Sequence, residues 1–191
     1  VFSPAAAGVC IGSEMSGGVT NVTVEGCHFL NVHSAIRIKS SAHRGGFVTN
    51  ITFRDIGVHM AETAIQFNDY YGDANPSCDP NVTALPLIEN ITVIGLQGTL
   101  GSTRNRTVLG PADLKGLSEA PLRGLHLEDI AIYNVNATAN QTFACNPFVE
   151  GVAINVSPPA CPELWSPITS TASQAITSFA TNNHTKSSSS I

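Results

Sequence analysis

Asn21-Val-Thr-Val-Glu25 returns as Asn50-Ile-Thr-Phe-Arg54 and again as Asn90-Ile-Thr-Val-Ile94, with a looser copy at Gly124-Leu-His-Leu-Glu128. The copies are spaced by 29, 40 and 34 residues. A second series keeps step with the first: Gly8-Val-Cys-Ile-Gly12, Ala35-Ile-Arg-Ile-Lys39 and Ala64-Ile-Gln-Phe-Asn68, spaced by 27 and 29 residues. Every copy alternates apolar and polar side chains with period two, the pattern of a half-buried strand. Val22/Val24, Ile51/Phe53, Ile91/Val93 and Leu125/Leu127 share one side in the first series. Val9/Ile11, Ile36/Ile38 and Ile65/Phe67 do so in the second.

A unit of about 30 residues with two or three such strands cannot cover its own apolar face, whereas a stack of units can. Repeats built of helices would need helical periodicity, which is absent. The expected fold is therefore all-β, a right-handed parallel β-helix. Residues 1–165 are expected to form its coils, as the C-terminal part of a larger domain. The stretches between Asp69 and Leu87 and between Gly98 and Pro121 are expected to be inserted loops. Residues 166–191 are rich in Ser and Thr and end in Ser187-Ser-Ser-Ser-Ile191. They are expected to form a disordered or O-glycosylated tail.

Composition narrows the function. Charged residues are 12% of the chain and the formal net charge is −5, so wholesale binding to DNA or RNA is not expected. No apolar run approaches the ~20 residues of a membrane helix, so no membrane role is expected either. The five cysteines, Cys10, Cys27, Cys78, Cys145 and Cys161, show no paired spacing. The six histidines show no metal-ligand spacing, so neither a metal nor another cofactor is expected. Nine Asn-x-Ser/Thr sequons begin at Asn21, Asn50, Asn81, Asn90, Asn105, Asn136, Asn140, Asn155 and Asn183. In Asn21, Asn50 and Asn90 the pattern is equally readable as plain strand sequence. The sequons in loops fit a glycosylated, secreted, extracellular or cell-wall protein. The chain opens at Val1 without an initiator Met or a visible signal peptide, so the true N-terminus is expected upstream.

Stacking turns the second series into columns. Cys10/Arg37/Gln66, Gly12/Lys39/Asn68 and Glu14/Ser41/Tyr70 face out, with Ile36 and Ile38 facing in. Arg37 and Lys39 then sit side by side, about 6.6–6.8 Å apart along the strand, with Gln66, Asn68 and Tyr70 one rung away. An anion bridging the two cations would relieve their repulsion. Arg offers a planar fork to a carboxylate and Lys a mobile charge. The amides and the tyrosine suit sugar hydroxyls and a pyranose face. The plain alternative is a solvated strand face with ordinary charges.

These residues carry a resemblance. Ile11-Gly-Ser-Glu-Met-Ser-Gly-Gly18, then Ile36-Arg-Ile-Lys39 with Arg44-Gly-Gly46, then Cys145 and Cys161-Pro-Glu-Leu164 are similar to glycoside hydrolase family 28, the polygalacturonases and their relatives. The resemblance implies a right-handed β-helix that hydrolyses α-1,4-linked galacturonan with inversion. Its Arg-x-Lys motif maps onto Arg37 and Lys39 and implies binding of a substrate carboxylate. The family's Asn-x-Asp and Asp-Asp motifs would precede Val1. Its Gly-His-Gly motif falls where this chain reads Ala5-Ala-Ala-Gly8. Inverting hydrolysis needs an acid and a base roughly 6.5–9.5 Å apart. Asp69, Asp73 and Glu14 are read as structural, so no residue of this chain is expected to be catalytic. Alone, the chain is expected to be an inactive monomer that binds acidic polysaccharide. A disulfide is expected between Cys145 and Cys161, which flank a loop-and-strand segment near the end of the coils. Cys27 is expected to be buried, and Cys10 and Cys78 are unassigned.

Three other classes fit the same residues. One is a noncatalytic extracellular module that binds acidic polysaccharide through Arg37 and Lys39. Another is a structural β-helix. A polysaccharide lyase would call for calcium held by clustered carboxylates, and no such cluster shows.

Overall fold

The computed structural model describes residues 7–72, 84–102, 106–135 and 142–165. Cys78, Asp73, the sequons at Asn81, Asn105, Asn136, Asn140 and Asn183, and the 166–191 tail lie outside the described residues. In chain order the strands are β1 (Val9–Gly12), β2 (Val19–Glu25), β3 (His28–Leu30), β4 (Ser34–Lys39), β5 (Phe47–Ala61) and β6 (Thr63–Asn68). They continue with β7 (Leu87–Leu100), β8 (Gly110–Lys115), β9 (Leu122–Asn134), β10 (Ala144–Cys145), β11 (Val149–Ser157) and β12 (Leu164–Trp165).

The named strands pair in parallel throughout. One sheet runs β1-β4-β6-β8-β10 and the other β12-β11-β9-β7-β5-β2, with β3 also on β5. The chain thus alternates between two sheets, one rung per circuit, as a right-handed parallel β-helix. Both repeat series stand in register. Val22, Ile51 and Ile91 stack in one sheet, and Ile36, Ile65 and Ala112 in the other.

The long strands bend at single residues with left-handed backbone. Asn21, Asn50 and Asn90 have φ near +56° and stack on one another, and Gly124 follows on the next rung. A second corner stacks Gly26, Asp55, Gly95, Asp129 and Asn155. This conformation costs most L-residues about 1–2 kcal/mol, and Gly, Asn and Asp tolerate it best. The repeated Asn therefore marks a corner. It is followed by a Val/Ile-Thr strand whose apolar residues turn inward. The described sequon residues Asn21, Asn50, Asn90 and Asn155 are all exposed.

The core lies between the sheets. Ile36, Ile38, Phe53, Ile65, Phe67 and Leu114 are fully buried. A disulfide joins Cys145 to Cys161, Cα atoms 6.1 Å apart, and so ties β10 to the turn before β12.

Two expectations are corrected. The stretch between Gly98 and Pro121 is not only loop, because β8 adds a fourth rung to the first sheet. Gly110-Pro111 reads as a turn, which hid the alternation behind it. Ala112 and Leu114 point inward while Asp113 and Lys115 take the other side. Cys27 is half-buried rather than buried. It follows the Gly26 corner and packs only partly against the core.

Candidate functional site

Strand β4 sets the site. Burial of Ile36 and Ile38 forces Arg37 and Lys39 to the outer face of the sheet. Register places Cys10 above Arg37 and Gln66 below it, with Gly12 above Lys39 and Asn68 below. Among the described residues neither cation forms an ion pair. The Nε of Arg37 is shut off from solvent and has no hydrogen-bond partner among the described residues.

The aromatic ring against them belongs to Tyr71. The Arg37 guanidinium carbon is 5.3 Å from its ring centre and the Lys39 ammonium 4.2 Å. Each is a cation–π contact, worth about 0.5–1 kcal/mol at an exposed site. One ring thus holds both cations in a fixed pair. Tyr71 is positioned by its backbone N–H, which donates to the Ser40 carbonyl over 2.9 Å. Tyr70 is 43% exposed, bridges to Ser41, and donates its N–H to Asn68 Oδ1 over 2.8 Å. Asn68 therefore shapes the turn that delivers both tyrosines.

Gln66 is buried, and its amide joins a polar ladder. Ser34 Oγ donates to Gln66 Oε1 over 2.9 Å, and Gln66 Nε2 donates to Asp113 Oδ2 over 3.3 Å. Asp113 sits one rung further on and pairs with Lys115 Nζ at 2.9 Å. The face so runs from two cations, unpaired among the described residues, through two amides to a neutralised Asp–Lys pair.

Arg44 adds a further positive charge at the edge. Its guanidinium flanks the Gly72 backbone, next to Tyr71. The hydroxyl and backbone N–H of Ser16 hold the Glu14 carboxyl below its usual range, and Arg44 adds to this. Glu14 accepts from Ser16 Oγ over 2.7 Å. Asp69 is buried, with its backbone N–H on the Lys115 carbonyl.

Among the described residues, one group of three is close enough to suggest a metal: Cys145, Cys161 and Glu163. Both sulfurs are consumed by the disulfide. The arrangement around Arg37 and Lys39 is thus a cationic face bordered by amide and phenol groups. Sequence reading named Arg37, Lys39, Gln66, Asn68 and Tyr70; the structure puts Arg37, Lys39, Asn68 and Tyr70 at the outer surface, whereas Gln66, expected to face outward, is buried with its amide engaged by Ser34 and Asp113. Sequence reading missed Tyr71, Arg44, Asp113 and Lys115. Asp113-Leu-Lys115 repeats the polar-apolar-cation alternation of Arg37-Ile-Lys39, and that signal was readable.

The profile of Glycosyl hydrolases family 28 matches residues 4–153, most of the chain. The chain belongs to this family. A probable polygalacturonase of Vitis vinifera is 30% identical over 164 residues, which are 85% of this chain and 31% of that protein. A polygalacturonase of Ralstonia nicotianae is 34% identical over 54% of this chain and 20% of its own length. Among solved structures, a hyperthermoactive exopolygalacturonase from Thermotoga maritima aligns with a TM-score of 0.50 at 28% identity, over 66% of this chain and 27% of its own. The chain spans about a third or less of the length of these relatives.

Proposed function

We propose that this family 28 chain serves hydrolysis of α-1,4-linked galacturonan, and that its part is to grip a galacturonate carboxylate at Arg37 and Lys39. The observation that carries the reading is the pair of outward cations that have no ionic partner among the described residues and share the Tyr71 ring. A hexuronate offers a planar carboxylate for the guanidinium fork and hydroxyls for Asn68 and the tyrosines. The relatives named as polygalacturonases support this substrate class.

The acid and base of inverting hydrolysis are not assigned to this chain. The carboxylates beside the face are committed elsewhere: Asp113 to Lys115 and to two amides, Glu14 to Ser16. The protein is proposed to act outside the cell on plant cell-wall pectin, to carry N-glycans on its exposed sequons, and to work as a monomer. A noncatalytic binder of the same polymer is the second reading, favoured by Ala5-Ala-Ala-Gly8 at the family's Gly-His-Gly position.

A reducing-sugar assay on polygalacturonate tests the proposal. The full-length protein should turn substrate over and the 191-residue chain alone should not. Turnover by the chain alone, abolished by replacing one of its own carboxylates, would overturn the assignment of roles. Failure of the full-length protein to cleave, with binding intact, would leave the noncatalytic reading.

A further inference from the structure

We infer that the outer face of the β3-β5-β7-β9 sheet carries a second carbohydrate site, one that takes an uncharged pectic segment with esterified carboxyls. The inference rests on the pectic reading above for its choice of sugar. An open groove of about 770 Å³ runs across these four strands. That volume lies within the range of ligand sites, about 300–1,000 Å³.

Two outward columns build it. Leu30, His59, Thr99 and Tyr133 stack on successive rungs, as do His28, Gly57, Gln97 and Ala131. At about 4.8 Å per rung each column spans about 14 Å, enough for a short oligosaccharide. The second column makes the hollow, because Gly57 and Ala131 are small. A Cβ at Gly57 would collide with His28 Nδ1, so any side chain there would displace the imidazole that walls the groove.

The lining chemistry selects the ligand. Tyr133 is 62% exposed and Leu30 59%, at opposite ends of one column. An exposed ring beside polar groups is the usual platform for a pyranose, with its phenol free to hydrogen-bond. Gln97, Thr99, His28 and His59 offer donors and acceptors along the track, and Thr99 Oγ1 already lies 3.3 Å from His59 Nδ1. Among the described residues the lining includes no lysine or arginine, and it includes the carboxylate of Asp55. Free galacturonate would meet repulsion there, whereas its methyl ester would not. The two faces thus divide the polymer by charge: free acid at Arg37 and Lys39, ester in this groove.

The test is calorimetric titration of the full-length protein at neutral pH with two probes of equal length, a fully methyl-esterified oligogalacturonide and its free acid. Tyr133→Ala should weaken ester binding about tenfold and leave free-acid binding unchanged. Tyr133→Phe should retain most of the ester binding, and Arg37→Ala should show the reverse pattern. Wild-type ester affinity in Tyr133→Ala, or no ester binding by the unmodified protein, would overturn the inference, as would free acid competing equally for the groove. Loss of free-acid binding in Arg37→Ala would still uphold the first site, so the two claims fail separately.

Discussion

Replacing Ile38 by Ala probes the scaffold directly beneath the proposed site. Ile38 is fully buried, with Ile11 in register one rung above and Phe67 one rung below. The change removes three carbons, and at roughly 0.8 kcal/mol each the lost burial alone is about 2.4 kcal/mol. Neighbours in a stacked rung are held by hydrogen bonds on both sides and collapse poorly into a void. The full cost should therefore fall in the range of about 2–5 kcal/mol seen for such truncations. Urea unfolding is the assay, with the midpoint moving down and the slope unchanged. Arg37→Ala, one residue away, should cost less than about 1 kcal/mol, because it loses a half-buried outer-face contact with Tyr71 and no core packing. A loss under about 1 kcal/mol for Ile38→Ala, or an equal loss for both variants, would refute the inward–outward assignment of β4.

Other consequences are as specific. Cys161→Ser should cost about 3 kcal/mol in the loop-entropy description of a 16-residue separation, and non-reducing peptide mapping should recover the Cys145–Cys161 pair. Free thiols at both positions in protein purified without reductant would contradict the structure. The Glu14 carboxyl is depressed by Ser16, so whatever stability it lends is present above its unfolded-state value and fades as pH falls through its lower folded value. Ser16→Ala should raise the Glu14 midpoint in an NMR titration, and an unmoved midpoint would show that the hydroxyl is not its partner.

Much of the coil architecture was legible because the solenoid repeats one physical problem on each rung. Val22, Ile51 and Ile91 had to face one core, and their spacing exposed the period. The Asn at the head of each copy was readable as a strand residue or as a sequon, and the fold shows a third role. Asn21, Asn50 and Asn90 occupy a corner where left-handed backbone is required, and a sequence pattern gives no φ value. Strand β8 escaped because Gly110-Pro111 carries turn chemistry, although Ala112-Asp-Leu-Lys115 alternates as well as the other rungs do. In the site, Arg37 and Lys39 followed from alternation alone. Tyr71 did not, because it lies in a turn, where period two no longer says which ring faces the cations. The alternation of Asp113 and Lys115 was readable, but their place beneath Gln66 and Asn68 came only with the register.

The central claim is that Arg37 and Lys39 hold a galacturonate carboxylate. Binding of free-acid oligogalacturonate to the full-length protein at two salt concentrations tests it most directly. Each charge-assisted contact is worth roughly 1.5–3 kcal/mol, so Arg37→Ala and Lys39→Ala should each weaken binding tenfold or more and flatten its salt dependence, with the unfolding midpoint nearly unchanged. Wild-type affinity and salt dependence in both variants, or unfolding of both, would contradict the account and return the pair to the scaffold.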